Sequence, residues 1–217
     1  MNFELARFNM IEQQIRTWEV LDARVLELLG EVRREDFVPE RFRKLAFADM
    51  QIPIGHGQVM MEPKVEARLL QELELRPTDR ILEVGTGSGY VTALLARLGG
   101  EVFSVEIVPE LSLAARDRLA AHGVDNVHLE IGDAAAGWPR HAPYDAILLT
   151  GSVPLLPQAF VDSLAPGGRL AAVVGRAPAM EAVVVSRRKD GGFERRSLFE
   201  TVIPPLINAE APAEFVF

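Results

Sequence analysis

A glycine-rich stretch between two apolar segments is the sequence feature that most limits how this chain can fold. Residues 81–90 are Ile-Leu-Glu-Val-Gly-Thr-Gly-Ser-Gly-Tyr. The apolar run from Arg80 to Val84 predicts a short buried strand, and the segment from Tyr90 to Leu98 predicts a helix that stops at Gly99. Three glycines let the backbone turn sharply and approach a ligand, while the helix start offers free N–H groups. The stretch therefore predicts a ligand-binding turn in an α/β fold.

The pattern of strand, turn and helix repeats after this stretch. The predicted strands are 101–107, 127–131, 145–150 and 169–174, and the predicted helices are 109–122 and 157–164, with a turn at 166–168. Two further strands, 181–187 and 193–202, are separated by a connection too short for a crossover helix, so they must be antiparallel. The chain thus predicts a Rossmann-like α/β fold, with a mostly parallel seven-stranded sheet and a terminal antiparallel hairpin.

The segment before residue 79 has a different, helical pattern. Apolar residues from Ile11 to Leu28 recur every three or four positions and predict one helical stripe, and a second runs from Lys64 to Leu75. Prolines at positions 39 and 53 indicate extended or turn geometry between them. We therefore predict an N-terminal helical extension, 1–78, packed on a core, 79–217, and contributing the acceptor site of one compact unit.

Composition narrows the function classes. Hydrophobic residues make up 48% of the 217 residues, which is enough for a sizeable core and excludes a disordered class. The net charge of −8 disfavours binding to nucleic acid or to an anionic membrane. The chain has no cysteine, and its four histidines lack metal-ligand spacing, so no metal is expected. Without a secretory signal or a bilayer-length apolar run in the sequence, we expect a cytoplasmic protein.

The spacing of the glycines separates two classes of ligand. Dinucleotide-binding turns usually have the spacing G-x-G-x-x-G, which brings a pyrophosphate onto the helix start, whereas this chain has G-x-G-x-G. The carboxylate of Glu83, just before the loop, would oppose a pyrophosphate and suit a cationic ligand. S-adenosylmethionine carries a sulfonium and an ammonium group and no phosphate. A nicotinamide-dependent oxidoreductase is therefore the least favoured hypothesis.

Acidic residues at the next two strand ends support the same ligand. Glu106 follows Gly85 by roughly twenty residues, where a carboxylate can accept both ribose hydroxyls. Asp133 ends the third strand and could accept the adenine amino group; each acid alone would equally fit an ordinary strand-end cap. The predicted cofactor-binding residues lie in the glycine loop and at the strand ends: Glu83, Gly85, Thr86, Gly87, Ser88, Gly89, Glu106, Ile107, Gly132, Asp133, Ala134 and Thr150.

These features resemble the protein-L-isoaspartate O-methyltransferase family over about residues 10–175. The resemblance is carried by seven segments: 32–39, 46–55, 55–58, 83–90, 132–139, 142–146 and 164–170. It implies transfer of a methyl group from S-adenosylmethionine, leaving S-adenosylhomocysteine, to isoaspartyl carboxylates of damaged proteins or peptides. It also implies a substrate site at Ile54, Gly55, His56 and Met60, and a catalytic site at Gln58 and at position 61.

The chain departs from the family in the segment after Gln58. The family's threonine and serine fall on Val59 and Met61, so two hydroxyl groups are replaced by apolar side chains. Backbone N–H groups of residues 60–62, Gln58 or His56 are the alternative donors to an acceptor carboxylate. Two alternatives follow: a methyltransferase with another acceptor, or a cofactor-binding homologue with weak or no isoaspartyl activity. The sequence predicts neither the natural acceptor nor the oligomeric state.

Overall fold

The N-terminal segment forms two helices instead of the single stripe that the sequence predicts. The computed structural model describes residues 2–210. Helix α1 (Phe3–Met10) continues through a π-helical turn (Ile11–Ile15) and a 3-10 turn (Arg16–Trp18). The chain then leaves helical geometry at Glu19, whose φ is 60°, and α2 (Ala23–Glu31) begins after its N-cap Asp22. The prediction of one stripe across Ile11–Leu28 was wrong on this point.

The break has a long-range cause. The side-chain carbonyl of Gln71 accepts hydrogen bonds from the backbone N–H groups of Leu21 (2.6 Å) and Asp22 (2.9 Å). These bonds satisfy N–H groups that a continuous helix would direct at its own carbonyls. Leu21, a member of the predicted apolar stripe, is 71% exposed.

A small hairpin follows two 3-10 helices, Arg34–Asp36 and Glu40–Leu45. Its antiparallel strands are β1 (Ile52–Gly55) and β2 (Gln58–Met60), which the sequence did not predict as a pair. His56 and Gly57 form the turn with positive φ angles of 53° and 72°. Helix α3 (Pro63–Glu72) begins directly after β2, with proline at its first turn.

The seven-stranded sheet has the predicted form. Its strands are β3 (Arg80–Val84), β4 (Glu101–Glu106), β5 (Val127–Ile131), β6 (Tyr144–Leu149), β7 (Leu164–Arg176), β8 (Ala179–Arg187) and β9 (Phe193–Glu200). Their spatial order is β5-β4-β3-β6-β7-β8-β9. Strands β3 to β7 are parallel, and β8 is antiparallel to both β7 and β9. Strand order reverses at β3, between β4 and β6, which is the usual position of a ligand crevice.

Helices and the two faces of the sheet form two apolar cores. The connecting helices are α4 (Tyr90–Leu98), α5 (Pro109–Ala121) and α6 (Gln158–Asp162), with a 3-10 turn at Pro139–His141. Because side chains alternate along a strand, Ile81 joins one core with Met10, and Leu82 joins the other with Phe160. The first core contains residues from both sides of position 78. The predicted units 1–78 and 79–217 extend to Met1 and 211–217, which lie outside the described residues. In residues 2–210, no helix combines the length and apolar character needed to cross a membrane.

Strand β7 is longer than predicted because the expected turn at 166–168 is absorbed into it. Its register against β6 shifts between Tyr144, which faces Leu164, and Ala146, which faces Arg169. The extra residues form an irregular segment in which Gly167 has a φ of +83°. A turn signal within a strand therefore produces a bulge here.

Arg169, at the end of this bulge, anchors the start of the sheet to the end of α3. Its guanidinium donates to the carbonyl oxygens of Leu73 (2.7 Å) and Asp145 (3.0 Å) and pairs with Asp79 at 2.8 Å. The side chains of Arg169 and Asp79 are only 11% and 5% exposed. Removing one partner would leave a buried charge without compensation.

We expect Arg169→Met to lower the free energy of unfolding by about 3–5 kcal/mol, because Asp79 loses its cation and three carbonyls, including that of Glu74, lose a donor. Denaturant unfolding with a fitted midpoint and slope measures this change. Arg116→Met is the matched control, since its pair with Asp117 is exposed (63% and 72%) and its loss should cost less than ~1 kcal/mol. Equal destabilisation by the two substitutions would contradict the anchoring role.

Candidate active site

A cleft opens where β3, β4, β5 and β6 end. About 860 Å³ of space, part of it open to solvent, lies between its walls. The side chains that line it within the described residues include the carboxylates of Glu66, Glu106 and Asp133 and no lysine, arginine or histidine. An acidic lining without a cation favours a positively charged ligand and disfavours a phosphate.

The glycine loop forms one wall of the cleft. Gly85, Gly87 and Gly89 all have positive φ angles, of 97°, 53° and 86°. A β-carbon at Gly85 would collide with the hydroxyl of Thr150, which donates to the carbonyl oxygen of Gly85 at 2.5 Å. The loop conformation thus requires glycine at position 85 both for its backbone angles and for this close approach.

Glu106 holds the loop against the end of β4. One carboxylate oxygen accepts from the backbone N–H of Gly87 (2.8 Å), and the other accepts from that of Val108 (3.0 Å). Each oxygen keeps a further lone pair for a ligand in the cleft. The carboxylate lines the cleft, and its contact with a ribose stays a prediction.

Asp133 connects the end of β5 to the C-terminal part of the chain. Its side chain accepts from the backbone N–H of Ala135 (3.0 Å) and from the side-chain amide of Asn208 (2.9 Å). Gly132, Ala134 and Ile107 line the cleft beside it, as does Thr150 on the other side of the loop.

Two predicted cofactor-binding residues lie behind the loop instead of in the cleft wall. The side chain of Glu83 is fully buried, and its carboxyl group accepts from the hydroxyls of Thr92 and Ser104, both at 2.6 Å. Gly89 faces Ala115 of α5. The hydroxyls of Thr86 and Ser104 share a hydrogen bond of 2.6 Å, which joins the loop to this buried group. Glu83 therefore supports Thr86, which does line the cleft.

Burial raises the pKa of Glu83 to about 8, although the hydrogen bonds from Ser104 and Thr92 act in the opposite direction. The carboxyl group is therefore largely neutral at pH 7. Glu83 was selected from the sequence because its charge could attract a cationic ligand. A buried and largely neutral carboxyl group does not support that attraction. Its assignment as a cofactor-binding residue stays a prediction.

Another part of the cleft, the end predicted for the acceptor, is formed by the hairpin and the segment after it, with Ile54 beside Gly87 of the loop. Ile54, Gln58, Val59, Met60 and Met61 all line the cleft. The predicted substrate residues Gly55, the last residue of β1, and His56, in the hairpin turn, are not in the cleft lining. The other four residues predicted for the acceptor site thus lie together in the cleft lining: Ile54, Gln58, Met60 and Met61.

The C-terminal segment 203–207 forms a wall that the sequence analysis missed. Ser152 pairs with it: its N–H donates to the carbonyl of Pro204, and its own carbonyl accepts from Leu206, each at 2.9 Å. Its hydroxyl donates to the carbonyl of Ile203. The segment has no periodicity, so its only sequence signal was the proline pair that ends the last strand. The other lining residues missed were Glu66, Val84, Val91, Val105, Leu111 and Ala135.

The fold and the cleft together define a class of protein. A parallel sheet ended by an antiparallel hairpin, with a glycine turn and acidic strand ends at one cleft, is the fold of the S-adenosylmethionine-dependent methyltransferases, as predicted.

Comparisons with known proteins identify the family within this class. The sequence model of the protein-L-isoaspartate(D-aspartate) O-methyltransferase family matches residues 6–211. A protein-L-isoaspartate O-methyltransferase of Methylorubrum populi is 40% identical over 210 residues, covering 97% of this chain and 99% of the relative. One from Anaeromyxobacter sp. (strain Fw109-5) is 45% identical over 196 residues, covering 89% and 91%. This chain therefore belongs to the protein-L-isoaspartate O-methyltransferase family.

A solved structure supports the fold over nearly the same length. It is a β-aspartate methyltransferase from Plasmodium falciparum in complex with S-adenosyl-L-homocysteine. The TM-score is 0.79 at 22% identity, with 95% of this chain and 98% of that chain covered. The likeness therefore includes the N-terminal segment and the hairpin as well as the sheet.

We expect Glu83→Gln to remove part of the pH dependence of stability. The pKa of Glu83 is higher in the folded chain than in the unfolded chain, so the folded state binds the extra proton between pH 4.5 and about 8. Wild-type stability should fall as pH rises through this window, with a slope of up to ~1.4 kcal/mol per pH unit from one proton. Urea unfolding at half-unit pH steps measures the slope.

The difference between wild type and Glu83→Gln isolates the contribution of this group, because Glu66 has a raised pKa as well. Glu31→Gln, at an exposed position, should keep the wild-type curve. Parallel stability curves for wild type and Glu83→Gln would show that Glu83 is ionised in the folded chain.

Proposed function

We propose that this protein transfers the methyl group of S-adenosylmethionine to the free α-carboxylate of isoaspartyl residues in proteins or peptides. The observation that carries the proposal is a cleft with an acidic, cation-free lining at the glycine loop, in a chain of this family. The relatives named above are protein-L-isoaspartate O-methyltransferases, and the similarity to this chain covers almost their whole length.

The residues at the acidic end fit the cofactor. The backbone of the glycine loop can approach closely, and the carboxylates of Glu106 and Asp133 lie at neighbouring strand ends, where they can accept from ribose hydroxyls and from the adenine amino group. When bound, S-adenosylmethionine supplies an electrophilic methyl group on a cationic sulfur. A dinucleotide would place phosphates against the same carboxylates, which disfavours the oxidoreductase alternative.

Methyl transfer to a carboxylate at the acceptor end requires no general base. An isoaspartyl carboxylate, with a pKa near 4, is already ionised at pH 7, and the leaving thioether is neutral. The protein must therefore align the carboxylate with the methyl group and exclude water from it. Ile54, Val59, Met60 and Met61 provide an apolar wall that can do the second task.

A second candidate function is methyl transfer to a different carboxylate. It is favoured by one observation: Val59 and Met61, the positions of the family's two hydroxyl side chains, both line the acceptor end of the cleft. A panel of isoaspartyl peptides, ordinary peptides and small organic acids, assayed with radiolabelled cofactor, separates the two. Cofactor binding without turnover on the whole panel would instead favour a non-catalytic homologue.

Residues 1–78 contribute the acceptor side in this proposal, with the hairpin and Met61 as their part of the cleft, and 79–217 contribute the cofactor side. The substrate is a protein or peptide, with no nucleic acid or membrane as partner. The cytoplasmic location stays the prediction made from the sequence.

We expect Glu106→Gln to weaken the binding of S-adenosylhomocysteine by about 10- to 100-fold, which corresponds to the ~1.5–3 kcal/mol of hydrogen bonds to a charged group. Isothermal titration calorimetry measures the dissociation constant. Glu110→Gln, an exposed carboxylate on α5, should leave it within about twofold. Unchanged affinity in Glu106→Gln would mean that the ribose is held elsewhere.

The missing hydroxyl can be tested with two substitutions of similar size. Met61→Ser should exceed Met61→Ala in kcat/KM on an isoaspartyl peptide by at least about tenfold, because only serine can donate to the acceptor carboxylate. Both variants lose the methionine side chain, so their difference isolates the hydroxyl group. Equal values in the two variants would show that this position makes no hydrogen bond to the acceptor.

A further inference from the structure

The proposed substrate creates an electrostatic difficulty. An acceptor carboxylate is an anion, yet the described residues that line the cleft include three carboxylates and no cationic side chain. Glu106 and Asp133 lie at the cofactor end, where the cationic cofactor can offset them. Glu66 lies at the acceptor end with Val59 and Met61, where an ionised carboxylate would repel the substrate.

A buried cation lies directly behind this part of the cleft. Arg34, 1% exposed, donates to the carbonyl oxygens of Met61 (2.6 Å) and Ala46 (2.8 Å), and its guanidinium lies 4.9 Å from the centre of the Tyr90 ring. It also donates to one carboxyl oxygen of Glu66. Arg34 therefore joins the backbone of the acceptor segment to the carboxyl group of Glu66.

The second oxygen of Glu66 is in an unusual position. Oε1 is buried and has no hydrogen-bond partner among residues 2–210. Burial raises the pKa of this group to about 7, with Arg34 acting to lower it and the nearby Glu62 acting to raise it. Two further groups act on the pair. Tyr90 stays uncharged because burial raises its pKa, and Glu83, whose pKa burial raises to about 8, interacts with the charge of Glu66 and is present in every variant of the test.

The charge of the pair therefore changes near neutral pH. Arg34 is always positive, so the pair carries no net charge when Glu66 is ionised and one positive charge when Glu66 is protonated. An anion bound next to Met61 stabilises the positively charged form of the pair. By linkage, protonation of Glu66 must strengthen the binding of the anion by the same free energy.

We propose that Glu66 takes up a proton from solvent as the acceptor carboxylate binds, so that the positive charge of Arg34 acts on the acceptor through the Met61 backbone. This inference rests on the proposed function. Methyl transfer then turns the carboxylate into a neutral ester, and the positively charged pair loses its anion. Glu66 returns its proton to solvent as the ester leaves, so no proton is consumed over a turnover. Glu66 is thus a positioning and specificity residue that acts through Arg34.

The first test is the pH dependence of KM for a blocked isoaspartyl peptide without other titratable groups, between pH 6 and pH 9. For the wild type, KM should rise at least about tenfold from pH 7 to pH 9, while kcat changes little. Glu66→Gln leaves Arg34 with a permanent charge, so its KM should be low and independent of pH. At pH 9 the variant should bind the acceptor more tightly than the wild type, which a merely structural role would not produce.

Glu62→Gln is the matched control. Its carboxylate is held by the side-chain amide of Gln51 at 3.2 Å and acts to raise the pKa of Glu66, so this variant should keep the rise in KM but show it at lower pH. The affinity for S-adenosylhomocysteine should have the same pH dependence in all three proteins, because Glu83, the group with a raised pKa at the cofactor end, is unchanged in each.

A second measurement uses the wild type alone. Calorimetric titration of the peptide into the S-adenosylhomocysteine complex at pH 8, in buffers of different ionisation enthalpy, should show uptake of close to one proton. A flat KM and no proton uptake, with methylation intact, would overturn this inference and leave the proposed function standing. A rise in KM that persists in Glu66→Gln would overturn it too. Neither binding nor methylation of the peptide at any pH would overturn both.

Discussion

A single buried carboxyl group determines the shape of the cofactor end of the cleft. Glu83 lies beneath the glycine loop and accepts from Thr92 of α4 and Ser104 of β4, and the hydroxyls of Ser104 and Thr86 share a further hydrogen bond. One buried side chain thus connects its own strand, the neighbouring strand, the helix and the loop. Both bonds reach Oε2 of Glu83, whereas Oε1 is buried without a partner among residues 2–210. Loss of either hydroxyl would leave a buried polar group with fewer partners still, so the network favours this one arrangement.

The parts of the fold that follow from local pattern could be predicted from the sequence. The strand, glycine turn and helix at 80–98 were predicted correctly because their signals lie within a few residues of one another. The same holds for the terminal hairpin, where the short connection permits only antiparallel pairing. The continuous helix across residues 11–28 was predicted wrongly because its break depends on Gln71, about fifty residues away.

The site was predictable to a similar degree. The residues at the carboxyl ends of the strands were found because parallel strands bring their ends together, and most of them line the cleft. Glu83 was selected for its charge, but burial raises its pKa to about 8, so the carboxyl group is mostly neutral at pH 7. The wall at 203–207 was missed because it is held by backbone pairing with Ser152, which depends on no particular side chain.

The two ends of the cleft are lined by different kinds of chemical groups. The cofactor end relies on fixed polar groups at strand ends, whereas the acceptor end relies on apolar side chains backed by one buried ion pair.

The pairing of Ser152 with the segment around Pro204 also has a consequence for synthesis on the ribosome. The seven strands can be complete once Glu200 has emerged, but the cleft gains its last wall only when residues 203–207 pair with Ser152, which follows β6. A nascent chain stopped between these two points would carry the sheet and the glycine loop, with an apolar groove open to any chaperone or aggregate that meets it. The order of translation therefore places the binding site among the last features to form.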